Sequence, residues 1–258
     1  MTGEASAAEY PDLRGRTAVV TGASRGIGAG IAAALAAQGV NVMLAARDEA
    51  ALARQAEAIR DAGGTAAHHA ADLVDEGSTA VLLEAAERAF GRVDLVAAIA
   101  GGEGAPSSVM ELAAADFRRI VDANLTSTFL TLKTFLPPMV QRGAGAVLVM
   151  SSTAGRVRTL ANPAYGAAKA GLLMLMRQAA AEVAAHGVRI NALAPGAVLT
   201  ERWEHTPKEI RDRVAQGHPL GRLGSPADIA GAALFLLSDA SSWVTGATLD
   251  ISGGMVMG

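Results

Sequence analysis

The chain has 258 residues, 51% of them apolar and 3% aromatic, with a formal net charge of −3 and no cysteine. That length suits one large α/β domain, and the apolar share can build a sizeable core. The absence of a basic stripe argues against a nucleic-acid binder, and the absence of cysteine excludes disulfide and thiolate chemistry. Residues 1–10 show neither a basic nor an apolar leader segment, and no apolar run is long enough to span a bilayer, so a cytoplasmic protein is expected.

In chain order, residues 1–12 read as a flexible tail. Residues 16–21 read as a strand and 26–38 as a helix whose Ile27, Ile31 and Leu35 recur at four-residue spacing. A strand at 41–46 and a helix at 49–62 follow, then a strand at 65–70, weakened by His68 and His69. A helix at 78–90 precedes 95–100, an apolar run of the kind found in strands covered on both faces. Residues 113–136 read as one helix that ends at Pro137-Pro138. A strand at 146–150, a helix at 165–186, a strand at 189–193, a helix at 226–237 and a strand at 248–251 complete the alternation. Repeated strand–helix units imply a parallel sheet with helices on both faces. No linker divides the chain, so residues 13–258 are expected to form one domain, with a polar substrate-loop insertion near 197–220.

Thr21-Gly22-Ala23-Ser24-Arg25-Gly26-Ile27-Gly28 joins the first strand to the first helix. Glycines there permit a sharp turn and close approach of backbone N–H groups to a pyrophosphate, which the helix N-terminus favours. The second strand ends Ala45-Ala46-Arg47, without the acid that would bond a ribose 2′-hydroxyl. Arg47, with Arg25 in the turn, can instead pair with a 2′-phosphate, so NADP(H) is expected over NAD(H). Asp48 reads as a cap of the following helix.

Tyr165 and Lys169, four residues apart, project from one face of a helix. A phenol titrates near pH 10, and a neighbouring ammonium lowers that value, which fits tyrosine for proton transfer. Ser152 directly follows the strand at 146–150, at the end of the sheet where ligands bind, and can donate to a carbonyl oxygen.

With these motifs the chain resembles the short-chain dehydrogenase/reductase family, the NADP-type subgroup of this length, over nearly the whole sequence after the first dozen residues. The resemblance implies a single-domain, Rossmann-like, doubly wound parallel sheet. It implies a catalytic set of Asn124, Ser152, Tyr165 and Lys169, with Tyr165 as general acid/base, Ser152 holding the substrate oxygen, and Lys169 on the nicotinamide ribose. Asn124 would hold a water that links Lys169 to solvent. Cofactor contacts are implied for Gly22, Ser24, Arg25, Gly26, Ile27, Gly28 and Arg47, and for Asp72 and Leu73 beside the adenine. Ala100, Gly101, Asn124, Tyr165, Lys169, Pro195, Gly196, Val198 and Thr200 complete that set. The family's Asn-Asn-Ala-Gly at the end of the fourth strand is replaced here by Ala98-Ile99-Ala100-Gly101, which removes a side-chain tie between strands near the cofactor.

The expected activity is NADP(H)-dependent hydride transfer on a carbonyl or secondary alcohol. A 3-oxoacyl-carrier-protein-type reductase is the narrower alternative. A non-catalytic nucleotide-sensing regulator is the alternative from another class, and it would not need the four catalytic residues together. No metal is expected, because adjacent His68 and His69 point to opposite faces of a strand. Trp203 and His205 in the insertion are candidate substrate contacts. Arg156 and Arg158 are either solvated or poised to attract an anionic substrate. Leu172 to Met176, apolar on every side of a helix, suggest a homo-oligomer, a tetramer or dimer.

Overall fold

A computed structural model of the chain describes residues 8–204 and 206–257. In chain order the main elements are β1 (Thr17–Thr21), α1 (Gly26–Ala37), β2 (Asn41–Ala46), α2 (Glu49–Asp61), β3 (Thr65–Ala70), α3 (Glu76–Phe90) and β4 (Leu95–Ala98). They continue with α4 (Ala114–Val121), α5 (Ser127–Arg142), β5 (Gly145–Met150), α6 (Pro163–Val183), β6 (Val188–Pro195), α7 (Lys208–Gln216), α8 (Pro226–Leu237) and β7 (Thr248–Ile251). The strands form one parallel sheet in the order β3-β2-β1-β4-β5-β6-β7.

Successive strand residues face opposite sides, and both sides are covered. Ala18 and Val20 of β1 pack with Ile31 and Leu35 of α1, Leu52 of α2 and Leu237 of α8. Val19 between them packs with Leu82 of α3, Phe135 of α5 and Leu172 and Met176 of α6. The chain winds outward from β1 to β3, then crosses back to β4 on the other side of β1. That reversal opens a crevice at the carboxyl ends of β1 and β4.

Three expectations are corrected. The tail is held from its inner end: the Tyr10 N–H donates to the Gln38 side chain at 2.8 Å, and a short turn at Pro11–Leu13 buries Leu13 completely. Residues 1–7 lie outside the described part. The helix expected at 113–136 is longer: α4 passes through a wide helical turn at Asp122–Thr126 into α5, which runs through Pro137 and Pro138 to Arg142. A proline inside a helix costs about 3 kcal/mol. Phe135 and Met139, one turn apart, are 1% and 0% exposed on either side of the prolines. Burying them contributes about 1.5–3 kcal/mol each, enough to carry the helix on. Finally, the insertion contains α7, a helix with no buried residue. It lacks the apolar stripe by which a helix is recognised in sequence.

Candidate active site

The glycine turn leaves β1 and enters α1 at the crevice. Gly22 has φ +67°, and a Cβ on Gly28 would lie 2.2 Å from the Gly22 carbonyl oxygen. The turn therefore folds onto itself with no space for side chains, leaving a backbone-walled cradle at the N-terminus of α1 that fits a diphosphate. Beside it runs the segment after β4, where a Cβ on Gly101 would lie 2.3 Å from Asn124 Oδ1. The missing asparagine of that segment has a substitute. The Thr21 hydroxyl accepts from the N–H groups of Ile99 at 3.0 Å and Ala100 at 3.2 Å, stitching the ends of β1 and β4 together.

The chemistry-bearing side chains lie on β5 and α6. Ser152 follows β5; its hydroxyl accepts from the Ala154 N–H at 3.2 Å and acts on the Tyr165 hydroxyl, favouring its ionised form. The start of α6 is set by Asn162, which caps it by accepting from the Ala164 N–H at 2.9 Å. Asn162 also donates to the Ala105 carbonyl at 2.7 Å, tying this helix start to the segment after β4. The Asn162-Pro163 pair is a cap followed by a first-turn proline, a signal in the sequence that went unused. One turn into α6, Lys169 is buried, donates to the Met150 carbonyl at 2.7 Å, and has its Nζ 5.6 Å from the centre of the Tyr165 ring. Ser151 holds the helix here by donating to the Lys169 carbonyl at 3.0 Å.

The protonation of Tyr165 differs from expectation. Burial pushes the Tyr165 hydroxyl up to about 12, with Ser152 acting the other way. Desolvation brings Lys169 down to about 7. Burial thus outweighs the expected lowering of tyrosine by lysine, and Tyr165 is a protonated donor at neutral pH. Asn124, fully buried in the wide turn before α5, donates to the carbonyls of Gly102 at 2.9 Å and Ile120 at 2.8 Å. Its Oδ1 accepts from the Gly102 N–H at 3.2 Å. The side chain thus fixes the loop beside Lys169.

At the far end of the crevice, Arg25 and Arg47 are exposed, and neither makes an ion pair with a described residue. Asp48 caps α2, accepting from the Ala51 N–H at 3.0 Å. Asp72 is exposed after β3, whereas the side chain of Leu73 enters the core and leaves only backbone to face a ligand. Ser24 and Ile27 are half-buried in the turn. His68 lies 3.2 Å from Glu49, and among the described residues no group of three or more His, Cys, Asp or Glu could hold a metal.

Pro195 and Gly196 end β6, and the loop beyond is anchored twice. The Leu199 N–H donates to the Gly224 carbonyl at 2.8 Å, next to a bridge between Val198 and Gly224. Buried His218 accepts from the Ala197 N–H at 3.2 Å through Nε2, while its Nδ1 is 2.9 Å from the Val214 carbonyl. Thr200 then packs beside Gly26, and the Gly26 N–H donates to the Glu201 carboxylate at 3.4 Å. Arg202 pairs with Glu103, beyond the end of β4. Glu103, Glu201, Arg202 and His218 were not singled out from sequence, because nothing in their spacing announces a partner. Trp203 is half-buried, and His205 lies outside the described residues. Arg156 pairs with Asp250 at 3.1 Å rather than standing free at the site mouth.

Comparison with known proteins agrees with this geometry. A family model described as enoyl-(acyl carrier protein) reductase matches residues 22–256. The chain is 41% identical to cis-4-hydroxycyclohexanecarboxylate dehydrogenase of Sinomonas cyclohexanicum, over 93% of this chain and 96% of that one. It is 36% identical to 7alpha-hydroxysteroid dehydrogenase of Escherichia coli strain K12, over 95% of each. A solved 3-oxoacyl-[acyl-carrier protein] reductase from Brucella melitensis, with bound NAD, superposes with a TM-score of 0.89 at 34% identity, covering 96% of this chain and 94% of that one. No helix among the described residues is long and apolar enough to cross a membrane. The parallel sheet, the glycine turn and these relatives along almost its full length together place the chain in the short-chain dehydrogenase/reductase family of oxidoreductases.

Proposed function

We propose that this protein is an NADP(H)-dependent oxidoreductase that interconverts a ketone and a secondary alcohol, with Tyr165 as general acid/base. One observation carries the reading: Ser152, Tyr165 and the buried Lys169 meet at the strand ends where the glycine turn opens, with the Lys169 Nζ 5.6 Å from the centre of the Tyr165 ring and Ser152 acting on the Tyr165 hydroxyl. The nicotinamide supplies or accepts the hydride when bound. Ser152 donates a hydrogen bond to the substrate oxygen as negative charge develops there. Tyr165, protonated at neutral pH, delivers its proton to that oxygen in reduction. Lys169 uses one N–H on the Met150 carbonyl, leaving the others for the ribose hydroxyls.

The preference for NADP(H) is read from Arg25 and Arg47, exposed without carboxylate partners, and from the absence of an acid at the tip of β2. Relatives named for a hydroxycyclohexanecarboxylate and a hydroxysteroid favour an alicyclic secondary alcohol over the 3-oxoacyl-carrier alternative. So does the engagement of Arg156, one of two arginines that would have drawn an acidic carrier. A nucleotide sensor would need none of the buried Ser152–Tyr165–Lys169 arrangement.

The protein is read as cytoplasmic and homo-oligomeric. Leu172, Leu173 and Met176 are buried within the subunit, but Met174 is 63% exposed on α6, and Phe117 and Phe129 are exposed on α4 and α5. An apolar face spread over three helices suits a second copy of the chain. Light scattering after size exclusion tests assembly, and a monomer with full activity overturns it. A panel of alicyclic ketones and alcohols, run with NADPH, NADH and their oxidised forms and followed by nicotinamide absorbance, tests the activity. Absence of turnover across the panel overturns the enzyme reading.

A further inference from the structure

We propose that Arg202 selects alcohols that carry a carboxylate, and that Glu103 occupies the place of that carboxylate when no such substrate is bound. The proposal deepens the reading of the site as one that oxidises alicyclic alcohols, and it rests on that reading.

Arg202 lies in a single short turn, Glu201–Trp203, that crosses the mouth of the crevice. The turn is held on one side by Thr200 and Glu201 against the start of α1, and behind by Leu199 and Val198 on Gly224. From there the guanidinium reaches Glu103, two residues beyond Gly101. Gly101 lies against the catalytic lysine, a Cβ there coming 3.3 Å from Lys169 Nζ, so the pair sits near the proton-transfer group, and both charges act on the Tyr165 hydroxyl. Arg158, on the loop after β5, is another exposed cation, but it is not among the groups that act on Tyr165.

The pair is loosely made. The Arg202 side chain is 60% exposed and that of Glu103 is 34% exposed. Exposed ion pairs contribute little to stability, so exchanging one carboxylate for another on the same guanidinium costs little. A planar guanidinium with two parallel N–H groups is suited to reading a carboxylate. The loops around it also carry exposed apolar side chains. Exposed Val109 and Met110 follow β4, Val157 and Leu160 follow β5, and Leu199 follows β6, on loops that leave the same strand ends. An apolar ring with the reacting hydroxyl at one end and an acid at the other suits apolar side chains on these loops, a proton donor at Tyr165 and the guanidinium of Arg202.

The test compares 4-hydroxycyclohexanecarboxylate with its neutral carboxamide, by kcat/KM, in wild type, R202Q, E103Q and R158Q. Wild type should prefer the acid, and R202Q should lose about tenfold or more on the acid relative to the amide, as for one lost charge-assisted contact. E103Q should lower KM for the acid, because the internal competitor is gone, with kcat changed less. R158Q should leave the acid/amide ratio as in wild type. Circular dichroism and cofactor titration confirm that each variant is folded. Equal loss on both substrates in R202Q makes Arg202 a loop anchor and overturns the proposal, as does turnover by wild type without preference for the acid. Failure of wild type to turn over any alcohol overturns the underlying oxidoreductase reading, and this proposal with it.

Discussion

The two ends of the crevice are built in opposite ways. At the catalytic end, Ser152, Tyr165 and Lys169 sit on the end of a central strand and the first turns of a long helix, and Lys169 and its neighbours Ser151 and Asn162 are all buried and hydrogen-bonded. At the phosphate end, Arg25, Arg47 and Asp72 stand on exposed turns. Proton transfer needs groups fixed to a fraction of an ångström, so it is placed on packed elements. In the proposed reading, choice of cofactor asks for charge near a 2′-phosphate, which exposed arginines would supply without rigid support.

If that contrast holds, changes at the buried end should act on kcat and changes at the exposed end on binding. The largest effect is expected for Y165F, which keeps the ring packing and removes the proton donor: kcat should fall by about a thousandfold, with cofactor affinity by fluorescence titration little changed. Near-normal kcat would break the comparison at its centre. S152A should cost about 3 kcal/mol in the barrier, read from kcat/KM, through loss of the donor to the substrate oxygen. R47A should weaken NADPH by about 1.5–3 kcal/mol and leave NADH unchanged, measured by titrating both cofactors. Equal weakening of both would mean that Arg47 does not read the 2′-phosphate.

The smallest effect concerns stability. Lys169 is held at about 7 in the folded chain against an ordinary 10.5. Between those values the unfolded chain binds the extra proton, so stability rises with pH across the window by about 1.4 kcal/mol per pH unit. Below about pH 7 the buried ammonium remains charged and the full penalty applies. Denaturant midpoints of wild type and K169M, followed from neutral pH to about pH 9, should therefore converge or cross, the wild type gaining and the variant staying level. Parallel profiles would show that Lys169 keeps its ordinary affinity for protons when buried.

The same contrast explains what could be read from sequence. Strands covered on both faces, such as β2 and β4, appear as apolar runs, and the bounds of β2 and of the half-buried edge strands β3 and β7 are those read from pattern. Tyr165 and Lys169 were recognisable because a helix fixes what a four-residue spacing means. The wide turn between α4 and α5 keeps the chain helical and so leaves no mark in the pattern, and Pro137 looked like an end because its cost is local while the burial of Phe135 and Met139 is tertiary. Glu103 and Arg202 are 99 positions apart, and only the folded chain brings them together. The loss of asparagine at Ala98 looked like a weakened joint, yet the Thr21 hydroxyl, one strand away, makes the joint instead.

The bond from the Gly26 N–H to the Glu201 carboxylate couples two parts of the molecule that pattern treats separately. The first N–H groups of α1 are where a diphosphate would settle, and the loop already uses one of them to hold itself across the crevice. Two anions sharing one donor are in negative linkage: each weakens the hold of the other by the same free energy. A diphosphate settling there would compete with the Glu201 carboxylate for that N–H, so the short turn at Glu201–Trp203 would act as a counterweight whose setting is adjustable by one carboxylate without touching the residues that carry the reaction.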